Sequence, residues 1–340
     1  MSLHVPVYTL NSNNINIIND APTTLDASDF QKYAIQLSKP IVNKNSTPRF
    51  TVGIYGGWGT GKTTLMQMMQ NEIDRNYSDN VQTVWFDAWR YEREEYSAMV
   101  PLLRTIILSL NNAIKNSKDS EKINILNTIE TQFRKIGGAV VRNTSPNVGI
   151  NMGSVSGGAN FDIGKMIDDY KSDGSFLYGE KRIHFHEHIT DHLKEELHKI
   201  RNDKSKKYSD FKIIIFIDDL DRCTPDRALE LLESIKTFFD IEGIIYVIGI
   251  DPSYGENSKI DGMHYLQKIV QLPFQMPLWN APDLSNTIKK MMAGTGMPDS
   301  DIKEILTETN TELIRIAAQP NPRDIKRFIN SIILSRYIYE

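Results

Sequence analysis

Short apolar runs alternate with amphipathic segments over most of this 340-residue chain. The apolar runs have the length of buried strands and lie at residues 49–55, 81–89, 212–217, 244–250 and 268–277. Apolar residues at helical spacing follow the first two runs. A further helix is predicted from about Thr224, where Pro225 suits the first turn. Strands that alternate with helices predict an α/β fold, with a parallel sheet as the middle of three layers.

Composition predicts four parts of the chain. They are an N-terminal polar segment, the α/β core, a hydrophilic insertion in that core and a C-terminal helical lid, at residues 1–49, 50–115 with 209–280, 116–208 and 281–340. The N-terminal segment contains one predicted short helix, which Ser28 or Asp29 is placed to cap. Within the insertion, residues 137–164 are rich in Gly, Asn and Ser, which predicts a hairpin or a mobile loop.

The bulk composition is that of a soluble globular protein, with 40% hydrophobic residues, 24% charged residues and a net charge of -4. We therefore expect no nucleic-acid partner. The single cysteine, Cys223, excludes an internal disulfide and fits a reducing compartment. The apolar runs are far shorter than the roughly 20 residues that span a bilayer. No secretion signal opens the sequence, so we expect a cytoplasmic protein that does not enter a membrane.

The first core strand leads into a glycine-rich turn and then a helix, and the turn reads GGWGTGKT from Gly56 to Thr63. This is the G-x-x-x-x-G-K-[ST] pattern of a P-loop, in the strand and helix context that it requires. Its glycines allow backbone N–H groups to surround a phosphate. Lys62 is predicted to reach the β- and γ-phosphates and Thr63 to ligate Mg²⁺. The predicted nucleotide-binding residues are Gly56, Gly57, Trp58, Gly59, Thr60, Gly61, Lys62, Thr63 and Thr64.

Five apolar residues, Ile213 to Ile217, run directly into three closely spaced carboxylates, Asp218, Asp219 and Asp221. A P-loop requires an acidic residue at the end of a neighbouring buried strand, close to Mg²⁺. Asp218 is predicted to hold the metal and Asp219 to polarise the attacking water. Apart from the insertion, one strand and one helix separate the two motifs, so the strand order is predicted to be 5-1-4-3-2. P-loop proteins with this additional strand generally hydrolyse ATP.

Together these segments resemble the KAP family of P-loop NTPases. The similar stretches are GIYGGWGTGKTTL, WFDAWRYE, IIIFIDDLDRC, VIGIDP, KIVQLPFQMP and NPRDIKRFIN, in the family's order from Phe50 to Asn330. The P-loop alone is not specific, but the crowded acidic turn with its Arg and the terminal NPRD motif are. Many members carry paired transmembrane helices between the P-loop and the acidic strand. Here that region is hydrophilic, which indicates either a soluble branch or an engineered chain without its membrane part.

Weaker signals surround the two main motifs. The resemblance to sensor-type arginines implies that Arg323, in NPRD, contacts the γ-phosphate; a surface salt bridge is the alternative. Arg222 is predicted either to neutralise Asp221 or to reach a neighbouring subunit's nucleotide. Asp251 either occupies a sensor-like position or caps the turn before Pro252. The predicted catalytic residues are Asp219, Lys62, Arg323 and Asp251, and the predicted metal ligands are Thr63 and Asp218.

The resemblance implies an ATP-binding, Mg²⁺-dependent ATPase switch that acts in signalling or anti-phage defence. It also makes ATP-dependent self-association into a homo-oligomer plausible, and an unknown protein partner is expected at residues 116–208. One alternative is a nucleotide-gated binding scaffold with negligible hydrolysis. A DNA-associated ATPase is a third hypothesis, based only on the basic residues from Arg201 to Lys207 and near the C-terminus.

Overall fold

The computed structural model describes most of the chain's regular elements. The described residues are 18, 30–43, 50–94, 98–144, 182–203, 207–236, 241–253, 268–277, 281–293, 299–317 and 321–339. The predicted caps Ser28 and Asp29 lie outside them, as does most of the Gly-, Asn- and Ser-rich stretch.

A five-stranded sheet forms the centre of the α/β core. Its strands are β1 (Thr51–Tyr55), β2 (Val81–Asp87), β3 (Lys212–Asp218), β4 (Ile244–Ile250) and β5 (Leu272–Gln275). Their order is β2-β3-β4-β1-β5, and β1 to β4 pair in parallel. The predicted fold class and the predicted strand order, which is the same order counted from the opposite edge, are both confirmed.

Helices α1 (Phe30–Val42), α2 (Lys62–Asn76) and α3 (Met99–Asn116) accompany the first two strands. Every residue of β3 and β4 is buried, as expected for strands covered by other elements on both faces. The apolar face predicted for α2 is buried as well, through Leu65, Met66, Met69 and Ile73. Continuous apolar runs and a helical apolar stripe therefore folded as their periodicity predicts.

Residues 116–208 contribute two described helices, α4 (Ser120–Thr144) and α5 (Arg182–Asn202). Leu126, Phe133 and Leu197 of these helices belong to the same buried apolar cluster as β3 and β4. Residues 137–144, predicted to begin a hairpin or a loop, instead complete α4, so that prediction was wrong for this stretch. The buried stripe of α4 extends as far as Ile136, and the helix continues through Gly137 and Gly138 despite their low helix propensity.

A helix α6 (Pro225–Lys236) follows β3 and begins at Pro225, as predicted. The C-terminal part is helical, with α7 (Ala281–Ala293), α8 (Asp299–Ile305), α9 (Glu308–Ala317) and α10 (Pro322–Tyr339). These helices share a separate apolar cluster that includes Ile288, Ile314, Ile325 and Ile329.

The chain divides into two compact units. One comprises Met1–Ala34, Gly56–Met68 and Gln275–Glu340, and the other comprises Ile35–Tyr55 and Met69–Phe274. The P-loop therefore belongs to the same unit as the C-terminal helices. Within the described parts of both units, no helix has the length and the apolar character needed to cross a bilayer.

Candidate active site

The P-loop follows β1 directly, and its last two residues, Lys62 and Thr63, are the first residues of α2. The side chain of Lys62 is only 8% exposed, and its ammonium donates hydrogen bonds to the carbonyl oxygens of Gly56 at 2.8 Å and Gly57 at 3.2 Å. The Thr60 hydroxyl also donates to the Gly57 oxygen, at 2.8 Å. These bonds close the loop around the lysine. Thr63 and Thr64 lie on the first turn of α2 and are partly buried.

Two glycines give the loop its shape. Gly59 and Gly61 adopt left-handed backbone conformations, with φ of 83° and 98°, which residues other than glycine rarely adopt. A Cβ atom at Gly61 would lie 2.6 Å from Cε2 of Phe30, so space as well as conformation requires glycine there. The sequence motif therefore corresponds to a sharply turned loop at the N-terminus of a helix, which is the arrangement that binds phosphate.

The N-terminus of α10 contacts the P-loop. The Asn321 side-chain amide donates a hydrogen bond to the Trp58 carbonyl oxygen at 2.8 Å. The guanidinium carbons of Arg323 and Arg327 lie 4.4 Å and 5.3 Å from the centre of the Trp58 ring, within cation–π range. Arg323, predicted as a phosphate sensor, thus lies against the P-loop tryptophan in this structure. Its predicted contact with a γ-phosphate stays a prediction.

The carboxyl ends of β2 and β3 bring acidic residues together in the other unit. Asp87 and Asp218 are partners in the parallel register of the two strands, and Ala88 N–H donates to the Asp218 carbonyl oxygen at 3.0 Å. Asp218 is the last residue of β3 and is 4% exposed. Among the described residues, Asp219 alone combines a side chain with a positive φ, at 55°. For an aspartate this conformation costs on the order of 1 kcal/mol.

Asp219 pairs with Arg222 within the chain. The Arg222 Nε lies 2.8 Å from Asp219 Oδ1, and the Arg222 guanidinium carbon lies 5.6 Å from the centre of the Trp89 ring. Burial raises the pKa of Asp219 to about 6, with a further contribution from the neighbouring Asp218 carboxylate, while Arg222 acts in the opposite direction. Of the two roles predicted for Arg222, the ion pair within the chain forms with Asp219 and not with Asp221. The other role, contact with a neighbouring subunit's nucleotide, stays a prediction.

Asp251, the second of the two predicted catalytic acids, accepts two hydrogen bonds from Ser253. The Ser253 N–H donates to Asp251 Oδ1 at 2.9 Å and the Ser253 hydroxyl donates to the same oxygen at 2.7 Å. Asp251 therefore stabilises the turn that contains Pro252, the second of the two roles predicted for it. Its sensor role stays a prediction.

Two contacts that sequence reasoning missed join the WFDAWRYE segment to the acidic turn. The Arg222 guanidinium lies over the ring of Trp89. The Glu92 carboxylate accepts a hydrogen bond from Thr224 N–H at 3.0 Å. Both contacts follow from the adjacency of β2 and β3 in the sheet. The predicted strand order already placed these two strands side by side, so it could have indicated both contacts. Asn321 was also missed, although it stands in the quoted NPRD motif.

Each part suits Mg²⁺ and a nucleoside triphosphate chemically. The loop offers backbone N–H groups, a buried ammonium at Lys62 and the Thr63 hydroxyl, which are the groups that hold phosphate and magnesium in P-loops. The acidic turn offers hard carboxylate oxygens, which magnesium prefers. In the described part of the chain, no three acidic, histidine or cysteine side chains group closely enough to hold a metal by themselves.

Comparison with solved structures gives two neighbours with nucleotide or DNA ligands. The ORC1 protein of Aeropyrum pernix in complex with DNA has a TM-score of 0.46 and 12% identity, covering 95% of this chain and 63% of that one. The ORC2 protein of Aeropyrum pernix, in ADPNP and ADP complexes, has a TM-score of 0.40 and 11% identity, covering 86% of this chain and 60% of that one.

Two relatives were found by sequence. The phage T7 exclusion protein of Escherichia coli is 24% identical over an alignment of 331 residues, which covers 93% of this chain and 42% of that protein. This chain thus spans less than half the length of that relative. An uncharacterized protein of Methanocaldococcus jannaschii is 30% identical over 175 residues, covering 46% of this chain and 84% of that protein. The KAP family P-loop domain matches residues 30–339, so the chain belongs to the KAP family of P-loop NTPases.

Proposed function

We propose that the chain binds ATP with Mg²⁺ and hydrolyses it as a molecular switch, changing conformation between nucleotide states. The observation that carries this proposal is the P-loop, where Gly59 and Gly61 turn the backbone and the Lys62 ammonium is held in the turn. Lys62 is the proposed contact to the β- and γ-phosphates. Magnesium, when bound, offsets the phosphate charge, and Thr63 and Asp218 are its proposed ligands.

Asp219 is the proposed group that orients the attacking water. It lies next to Asp218 at the end of β3, and its left-handed backbone turns the chain sharply at this point. Burial near another carboxylate raises the pKa of Asp219, and a raised pKa suits a carboxylate that accepts a proton near neutral pH. Arg323 and Asp251 remain proposed contributors to the reaction.

The test is phosphate release measured with calorimetric ATP binding. We expect Lys62→Ala to lose ATP binding, and Asp219→Asn to keep binding but lose hydrolysis by about 100-fold or more, as for removal of a catalytic group. Asp221→Asn is the matched control, because it makes the same exchange two residues further on, and we expect near-normal turnover. Absence of nucleotide binding by the unmodified protein, or normal hydrolysis by Asp219→Asn, would contradict the proposal.

One observation favours the scaffold alternative, in which nucleotide controls binding to a partner with negligible hydrolysis. The Asp219 carboxylate is already held by Arg222 at 2.8 Å, which opposes its use on water. Tight ATP binding without phosphate release, alone or with candidate partners, would favour the scaffold. Light scattering with and without ATP would reveal self-association, which both forms of the proposal allow.

We further propose a role in anti-phage defence. This proposal is supported by the match to the phage T7 exclusion protein, which covers 93% of this chain. Expression of the chain should reduce phage plaque formation, and expression of the Lys62→Ala variant to the same level should not. Equal plaque counts for both would contradict a nucleotide-dependent defence role.

A further inference from the structure

Trp58 projects from the P-loop, and its side chain is 51% exposed although α10 contacts it. The contact consists of the two arginine cations on the ring and one hydrogen bond, from the Asn321 amide to the Trp58 carbonyl oxygen at 2.8 Å. That hydrogen bond acts on the backbone of the loop and not on its side chains. It therefore bears directly on the orientation of a loop peptide group.

The Asn321 side chain is fixed from the other side by its own helix. Its Oδ1 accepts the Arg323 N–H at 3.0 Å, and its backbone carbonyl accepts the Ile325 N–H at 3.0 Å. This is the geometry of an N-cap residue. The Asn321 Oδ1 bonds the N–H of its own helix, and this bond fixes the orientation of the side-chain amide. In that orientation the Nδ2 group points at the Trp58 carbonyl oxygen.

Holding the Trp58 carbonyl also fixes the following amide. The peptide between Trp58 and Gly59 is planar and trans, so its C=O and the Gly59 N–H point in opposite directions. A phosphate-binding loop works through backbone N–H groups that are already oriented before the ligand arrives. An acceptor fixed on one side of the peptide therefore orients a donor on its other side.

Gly59 is also what allows Asn321 to approach. A Cβ at residue 59 would lie 2.8 Å from Asn321 Nδ2, so any larger residue would displace the amide. The glycine thus serves the left-handed turn and the contact with α10 at once.

We propose that Asn321 is a positioning residue for nucleotide binding, which fixes the Trp58–Gly59 peptide of the P-loop from the N-terminus of α10. The inference rests on the proposed function, since it takes a nucleotide phosphate as the ligand. It also makes loop shape and the position of α10 interdependent, so that a ligand ordering one orders the other.

Two variants separate this role from helix capping. Asn321→Ser and Asn321→Asp both keep an oxygen that caps α10, because Ser, Asp and Asn are about equally good N-caps. Neither has an amide to donate to Trp58, and the Ser variant adds no charge. Asn330→Ser is the matched control on the same helix, since Asn330 exchanges two hydrogen bonds with the backbone of Ile18 and contacts a different segment.

We expect Asn321→Ser to raise the Kd for ATP and ADP and the KM for ATP about 10-fold, with kcat and the melting temperature nearly unchanged. Asn330→Ser should lower the melting temperature and leave both Kd values unchanged. A normal Kd in Asn321→Ser would overturn the proposal. A Kd that rises in Asn321→Asp but not in Asn321→Ser would also overturn it, since the added negative charge would then be the cause.

Hydrogen exchange without nucleotide gives an independent readout. Amide exchange in residues 56–61 should become several-fold faster in Asn321→Ser and stay normal in Asn330→Ser. Unchanged exchange in Asn321→Ser would overturn the inference whatever the affinities show. If the unmodified protein binds no nucleotide, the proposed function fails, and this exchange measurement still decides whether Asn321 holds the loop.

Discussion

Arg222 shows how a local turn decides which charges meet. The segment Leu220–Arg222 forms one turn of 3₁₀ helix, in which side chains three positions apart lie above one another. The Arg222 N–H bonds the Asp219 carbonyl at 3.2 Å, and the guanidinium reaches the Asp219 carboxylate. The charges are visible in the sequence but the turn is not, so the ion pair within the chain was predicted with Asp221 and formed with Asp219.

The Cys223 thiol closes the same turn and provides a pH-dependent prediction. Its Sγ donates to the Asp219 carbonyl oxygen at 3.8 Å, and burial raises the pKa of the thiol from an ordinary 9.0 to about 12. The thiolate is the reactive form, so at pH 8 its population falls by about 1,000-fold. We expect labelling of the native protein by a disulfide reagent at pH 8 to be at least about 100-fold slower than labelling of the urea-unfolded chain.

The unfolded chain is a clean reference for that measurement, because Cys223 is the only cysteine. The native labelling rate should rise steeply with pH well beyond pH 9, where an ordinary thiol is already half ionised. A native rate within about 10-fold of the unfolded rate would mean that the acidic turn opens readily or that the thiol is not shielded.

Strands and helices were largely predictable because buried elements have simple patterns of apolar residues in the sequence. Runs such as Ile213 to Ile217 are apolar on both faces, which is the mark of a central parallel strand, and the strand order followed from the position of the acidic turn. The end of α4 was not predictable in this way. Gly137 and Gly138 resemble a loop start locally, yet the helix to which they belong is already packed through Phe133 and Ile136.

In the candidate site, too, local patterns were predictable from the sequence and distant contacts were not. The P-loop and the acidic turn are short motifs whose chemistry lies in adjacent residues, so the sequence identified them. Asn321 and Trp58 are 263 positions apart, and no local pattern connects them. Their contact depends on how α10 packs within its unit, which spacing in one sequence does not reveal.

Strand β3 begins with a buried lysine that joins it to α1. Lys212 is 1% exposed, and its ammonium donates to the carbonyl oxygen of Asn43 at 2.6 Å and that of Ile41 at 3.5 Å. Asp210 Oδ2 lies 3.7 Å away. Burial lowers the pKa of Lys212, because removal from water disfavours the charged ammonium. The end of α1 thus receives a donor from the sheet in place of water.

We expect Lys212→Met to lower the free energy of unfolding by about 1–3 kcal/mol, because Met keeps the apolar stem but leaves buried carbonyl groups without this donor. Urea unfolding would measure the loss. Lys199→Met on α5 is the control, since Lys199 makes an exposed ion pair with Glu196 and should contribute less than about 1 kcal/mol. Equal losses in both variants would show that the bonds to α1 contribute little.

The division into two units has a consequence for ligand response. The P-loop residues Gly56–Met68 group with the C-terminal residues Gln275–Glu340, whereas α3, α4 and α5 group with the strands. The contacts of Asn321, Arg323 and Arg327 with Trp58 lie inside the first unit. A nucleotide that orders the loop should therefore act on the start of α10 through direct contacts.

We expect Mg²⁺ and ATP at 100 times the Kd to stabilise the protein by about 2.7 kcal/mol and to slow amide exchange in residues 56–65 and 321–327. Exchange in α3 and α4 should change less, because those helices have their own apolar cluster with the sheet. Lys62→Ala should abolish the protection in both segments. Asn321→Ser, at ATP concentrations that saturate it, should keep protection in the loop but lose most of it in residues 321–327. Equal protection of every helix, or none at the start of α10, would contradict this path of coupling.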